Sequence, residues 1–226
     1  AVMTQTLENL EHQTRSMQGI RSVVHTMKTL SAINATPYER AARSIERYQD
    51  IILDGMQAIL HNTGSIDTAS PVATACIVLA FGSDHGLCGN YNERIAEKVA
   101  ASMEQDDTQQ YSVVCIGSRI GDALDRLDVS VSEVLFTPAN ADGLARLAGE
   151  LVTQVDKLRG SMTSGAASIE LVYTSRLKTG ENEVQGERLL PLSPDMVNEL
   201  QSRPYESNSL PSMRESADRI FASLVR

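Results

Sequence analysis

The stretch FGSDHGLCGNYNERI, residues 81–95, joins two sequences of different period. An apolar run, VATACIVLAF at 72–81, leads into it. Unbroken apolar character of that length marks a strand buried on both faces. On the far side of the turn, YNERIAEKVAASM at 91–103 spaces its apolar residues as a helix does. Strand, glycine-rich turn, helix is how many nucleotide-binding folds present a phosphate cradle. The turn could therefore bind a ligand, hold a reactive thiol, or only join two elements.

Each option demands its own residues. A Walker-type loop reads G-x-x-x-x-G-K-[ST], and its lysine meets the phosphates. This turn has glycines at 82, 86 and 89 but no lysine, and Asp84 would repel an anion. The G-x-G-x-x-G dinucleotide fingerprint is also absent. Cys88 could be a nucleophile activated by His85, three residues away, and by the helix N-terminus. That chemistry also needs an orienting group and a pocket, and neither is visible. A structural turn needs less. Gly86 and Gly89 would supply permissive backbone around Leu87 and Cys88, and Asn90 or Asn92 could cap the next helix. Cys76 and Cys115 fall in strand cores, and His12, His25 and His61 stand alone, so no metal-ligand spacing forms.

Beyond the turn the pattern alternates. YSVVCIG (111–117), VSEVLF (131–136), SIELVYTSRL (168–177) and ENEVQGERLLPL (181–192) read as strands. SRIGDALDRL (118–127) and ANADGLARLAGELVTQVDKLR (139–159) read as helices, and KTG (178–180) as a hairpin turn. This order predicts a Rossmann-like α/β domain over 70–195 with a partly parallel sheet. Residues 196–211 read as connection, and 212–226 as the start of a C-terminal helix.

Upstream, residues 1–62 read as one long helix. Leu7, Leu10, Met17, Ile20, Val24, Met27, Leu30 and Ile33 recur at steps of three, four or seven, and Ile45, Tyr48, Ile52, Met56 and Ile59 resume the spacing. Pro37 should kink or break it near 35–37, because an internal proline costs about 3 kcal/mol. A helix this long must bury its stripe against another helix or another protein. Between Arg15 and Tyr38 the basic residues are Arg15, Arg21 and Lys28, with no acidic residue among them. A cationic stem on an acidic chain favours an acidic partner surface, although solvated side chains would look the same.

Bulk composition agrees with a packed α/β chain. Of 226 residues, 42% are hydrophobic and 22% charged, with aromatics at only 4%, so the core must be largely aliphatic. A net charge of −9 argues against nucleic acid as the main partner. No apolar run approaches the roughly 20 residues of a membrane-spanning helix. Three widely spaced cysteines and no leader pattern fit a reducing cytoplasm.

Two stretches resemble a known family. SDHGLCGNYN (83–92) is similar to the S-D-x-G-L-C-G-x-x-N signature of the gamma subunit of rotary F-type ATP synthases. GIRSVVHTMKTLSA (19–32) resembles that family's I-x-S-[VI]-x-x-T-x-K-I-T-x-A-M helix, with Ile20, Ser22, Val23, Thr26, Lys28 and Ala32 on its pattern. The resemblance covers essentially the whole chain. Ile33 stands where the family has Met, Pro37 falls where it runs an unbroken helix, and the C-terminal helix is shorter than the family's, as if the chain ended early. SEVLFTPAN and LLPLSP resemble a divergent branch found in alternative, sodium-linked bacterial F-type ATPases.

The resemblance implies a central shaft rather than an enzyme, with no cofactor and no metal of its own. The N- and C-terminal helices would form an antiparallel coiled-coil stem inside the ring of alpha and beta subunits. The α/β domain would sit on the c-ring beside epsilon, as a single copy on the cytoplasmic face of the bacterial inner membrane, without insertion. Ion flow through the c-ring would be coupled to ATP synthesis or hydrolysis in alpha and beta. Arg15, Ile20, Arg21, Val23, Met27 and Lys28 would meet partners along the stem. Asp84, Asn90 and Asn92 would offer an exposed polar edge beside the structural turn Gly86, Leu87, Cys88 and Gly89. The rival readings are a small hydrolase using Cys88 and His85, and a helical adaptor without a motor.

Overall fold

The structure, a computed structural model, describes residues 2–63, 74–104, 110–162, 167–176, 181–204, 209, 213–216 and 219–220, with side chains from residue 8 onward. The chain divides into two compact units, 1–48 and 49–226. The helix α1, Val2–Thr63, begins in the first and ends in the second.

The described part of the first unit is helix throughout. It runs through Pro37 without a break, contrary to the alternative raised by the sequence. One missing N–H removes one rung from a ladder with many on either side, so a local cost of about 3 kcal/mol does not end a helix of this length. Thr14, Thr26, Thr29 and Ser44 each donate a hydroxyl hydrogen bond to the carbonyl four residues back, keeping those groups within the helix. Every described side chain of this unit is exposed except the half-buried Tyr38 and Ala41. The apolar stripe is included: Leu10, Met17, Ile20, Val24, Met27, Leu30 and Ile33 are 40–68% exposed. The side chain of Leu7 lies outside the described residues.

The second unit holds a five-stranded sheet in the order β3-β2-β1-β4-β5. Its strands are β1 (Ala75–Phe81), β2 (Gln110–Ile116), β3 (Val131–Leu135), β4 (Ala167–Arg176) and β5 (Asn182–Leu190). The first four run parallel, and β5 pairs antiparallel with β4. Both faces of β1 are covered, which is why its sequence is apolar without alternation. Cys76, Val78 and Ala80 share a core with α2 (Tyr91–Glu104) and α3 (Ser118–Asp125). Ala75, Ile77 and Leu79 pack with Leu147 and Val155 of α4 (Leu144–Ser161), which a short 3-10 turn at Ala141–Gly143 precedes. The partly parallel α/β expectation holds, element by element, to within a few residues at each end.

One element departs from the sequence reading. Residues Pro194–Ser202, which read mostly as connection, form a helix, α5. Its start obeys capping rules. The Ser193 hydroxyl oxygen accepts from the Met196 amide at 3.2 Å, Pro194 occupies the first turn, and Asp195 stands near the positive end of the dipole. Val197 and Leu200 of α5 pack with Leu192 against Met56 and Leu60 at the end of α1. The compact unit therefore begins at Gln49, well before the expected boundary at 70. Of the expected C-terminal helix at 212–226, residues 213–216 and 219–220 are described, and the Arg219 and Ile220 amides both donate to the Ser216 carbonyl. The remainder of that helix, its antiparallel pairing with α1, and the KTG turn lie outside the described residues.

Burying a large apolar side chain is worth about 1.5–3 kcal/mol, so the exposed stripe of the first unit seeks cover. The isolated chain is expected to self-associate on sedimentation, with Val24→Lys combined with Leu30→Lys shifting it toward monomer. A wild-type chain monomeric at every concentration would contradict this.

Candidate functional site

The 83–92 turn sits at the carboxyl end of the parallel strands, where open α/β sheets commonly bind ligands. Here the chain fills that place itself. Asp84 accepts from the Ser118 amide at 2.8 Å through one carboxylate oxygen. Its other oxygen accepts from the Thr137 amide at 2.7 Å and from the Thr137 hydroxyl. One side chain thus ties the loop after β1 to those after β2 and β3. Backbone bonds run alongside: the Gly82 amide donates to Ile116, that of Gly117 to Leu135, and that of Arg119 to Ser83. These bonds require close approach. A Cβ on Gly82 would run into the Ile120 side chain, and one on Gly117, at φ +102°, would lie 2.7 Å from the backbone of Ser83.

Asn92 closes the turn from the other side. It is buried, its Oδ1 accepts from the Ser83 amide at 3.0 Å, and its Nδ2 donates to the Ser83 hydroxyl at 3.0 Å. The expected exposed polar edge therefore needs correction. Asp84 is half-buried and engaged in internal bonds, Asn92 is buried and likewise satisfied, and only Asn90 faces solvent. Asn92 does not cap its helix either, because its side chain turns back to Ser83. The backbone expectation also shifts by one residue. Gly89 takes a left-handed φ of +64°, but Gly86 is outside that region and Leu87 adopts φ +65°. A leucine in this conformation is strained, and Leu87 is 84% exposed.

The thiol chemistry has no dyad. Cys88 donates to the backbone carbonyl of His85 at 3.7 Å rather than meeting its imidazole, and it accepts from Asn92 Nδ2 at 3.4 Å. Burial pushes the Cys115 thiol up to about 12 and raises that of Cys76, on which the Ser168 hydroxyl acts in the opposite sense. Both remain protonated and unreactive. Among the described residues no group of His, Cys, Asp and Glu could hold a metal, and no helix is long and apolar enough to cross a membrane.

The stem candidates lie together on α1. Ile20 and Met27 stand seven residues apart, as do Met17 and Val24, so they form adjacent rows along one side. Arg21 and Lys28 come four residues after Met17 and Val24 and flank that side. Val23 is 58% exposed beside the rows. Arg15 pairs with Glu11 at 3.8 Å, an exposed contact worth about 0–1 kcal/mol. Among the described residues, Arg21 and Lys28 have no ion pair. Two features escaped the sequence reading, α5 and the buried Gln57 of α1; the S-P-D start of α5 was the available signal.

A family model described as ATP synthase matches residues 6–226. The chain belongs to the ATP synthase gamma family. It is 21% identical to the ATP synthase gamma chain of Dictyoglomus thermophilum, over 97% of this chain and 76% of the relative. It is 24% identical to the gamma chain of Gloeobacter violaceus, over 81% of this chain and 63% of the relative. Its fold is similar to a chain in the central stalk and c-ring structure of the Tetrahymena thermophila mitochondrial ATP synthase. The TM-score is 0.56 at 15% identity, over 88% of each chain. As a gamma-family chain it is a non-catalytic subunit.

The Asp84 knot makes a pH prediction. Partial burial raises the carboxyl pKa, but hydrogen bonds from Thr137 and Ser118 outweigh this and hold it below the ordinary carboxylate range. A carboxylate favoured in the folded state adds stability above its unfolded pKa of about 4, and that stability disappears as pH falls through the lower folded value. Asp84→Asn has only one acceptor oxygen for donors that face two. It should lower unfolding stability by about 1–2 kcal/mol near neutral pH and flatten the loss in acid. Equal urea midpoints for the two proteins at pH 7 would refute the role.

Proposed function

We propose that this chain is the central shaft of a rotary F-type ATP synthase, coupling ion flow through a membrane c-ring to ATP synthesis or hydrolysis in alpha and beta subunits. The observation that carries the reading is the exposed face of α1: apolar residues in rows, flanked by Arg21 and Lys28, on a helix far longer than the α/β unit needs. Burial against the C-terminal helix and the ring would cover the rows. The cations would face acidic loops of the ring, and screened pairs worth about 0–1 kcal/mol each suit contacts that break and re-form at every step. Arg15, Ile20, Val23 and Met27 belong to the same surface.

The turn at 83–92 contributes differently. Asp84 and Asn92 hold it rigid, so that Gly86, Leu87, Cys88, Gly89 and Asn90 present an exposed rim toward the ring. The α/β domain would seat on the c-ring beside epsilon, as a single peripheral copy on the cytoplasmic face of a bacterial inner membrane. The stretches SEVLFTPAN and LLPLSP favour the sodium-linked branch.

Co-expression tests the reading. The chain should co-purify with alpha and beta subunits at fixed stoichiometry. Arg21→Glu with Lys28→Glu should weaken that association several-fold at low salt and much less at high salt. A chain that captures neither subunit would defeat the shaft reading and leave the adaptor.

A further inference from the structure

Five consecutive residues of α1, Met56 to Leu60, are buried, whereas Leu10 to Tyr48 carries an exposed apolar surface. Five residues span more than one 3.6-residue turn, so the helix is enclosed all round at this level. Met56 and Leu60 pack with Leu192, Val197 and Leu200, and the half-buried Ile52, Leu53 and Met196 extend the contact. Apolar enclosure grips a helix, but it is non-directional and a methionine adapts readily to a shifted neighbour. Such a socket holds the helix in place but does not by itself select one rotational setting.

Gln57 supplies direction. It is only 5% exposed, unusual for a glutamine in an apolar setting. Its Nε2 donates to the carbonyl of Arg203 at 2.7 Å, across 146 residues of sequence. Arg203 is the C-cap of α5, at the end where a helix leaves carbonyls without partners of its own. Twisting α1 by one residue position would carry Gln57 off this carbonyl. It would leave a buried amide and the helix end of α5 unpaired, which is costly in a dry setting. We propose that Gln57 is a positioning residue that fixes the rotational register of α1 within the α/β domain, so that torque passes between them without slip. The proposal rests on the shaft reading and adds to it the point at which twist is held.

The test uses the complete complex of this chain with alpha and beta subunits, with the ring fixed to a surface and a bead on the α/β domain. The readout is revolutions of the bead per ATP hydrolysed under load. Gln57→Met keeps the volume and the apolar packing but removes the donor. It should fold, assemble with wild-type stoichiometry and return several-fold fewer revolutions per ATP. Leu200→Ala loosens the socket but keeps the hydrogen bond. It should lower the melting midpoint and leave revolutions per ATP unchanged. A Gln57→Met complex with the wild-type ratio overturns the proposal. So does a Gln57→Met chain that fails to fold, because the bond would then serve folding rather than register. If the wild-type bead does not turn at all, the shaft reading itself is at fault.

Discussion

Apolar surface in water must find cover, and the long helix α1 obeys that constraint in only part of its length. From Met56 to Leu60 it is buried within the second unit, while its rows from Leu10 to Ile33 stand exposed. A domain that needed α1 only for its own core could stop the helix at about three turns, near the average for globular proteins. The surplus length has an apolar and cationic face that nothing in the described chain covers. That surplus is what turns an ordinary α/β unit into a candidate shaft.

The α/β unit shows the complementary arrangement. Its architecture places glycines, loop amides and a helix start at the carboxyl ends of parallel strands, as ligand-binding α/β folds do. Asp84 occupies that end with the chain's own carboxylate, and the buried Asn92 braces the turn behind it. The result is a joint among three loops. Rigidity there would serve the proposed transmission of twist, and a ligand would have to displace the three internal hydrogen bonds of Asp84 to enter.

Much of this architecture is legible in the sequence, and the failures have physical causes. The strand β1 announces itself because double-sided burial leaves an unbroken apolar run, and β2 carries a shorter one from Val113 to Ile116. The length of α1 is legible from its periodicity, whereas a break at Pro37, one of the two outcomes expected there, overweights a local propensity against a long cooperative helix. The helix α5 hides behind prolines at 194 and 204 that look like linker, although Ser193-Pro194-Asp195 is a good helix start. At the turn, residue types reveal that no phosphate loop is present. They do not reveal that Asp84 and Asn92 look inward, because an inward hydrogen bond and an outward contact demand the same polar side chain. Leu87 rather than Gly86 takes the left-handed backbone, a choice that composition alone does not disclose.

The central claim is that the rows on α1 are covered by other subunits. Native methionines report this directly, since Met17 and Met27 are 68% and 40% exposed while Met56 is 5% exposed. Oxidation rates of all three can be tracked by mass spectrometry in the isolated chain and in its complex with alpha and beta subunits. The account predicts that Met17 and Met27 slow several-fold on assembly while Met56 stays slow throughout. Unchanged rates at Met17 and Met27 in a complex that has formed would contradict it.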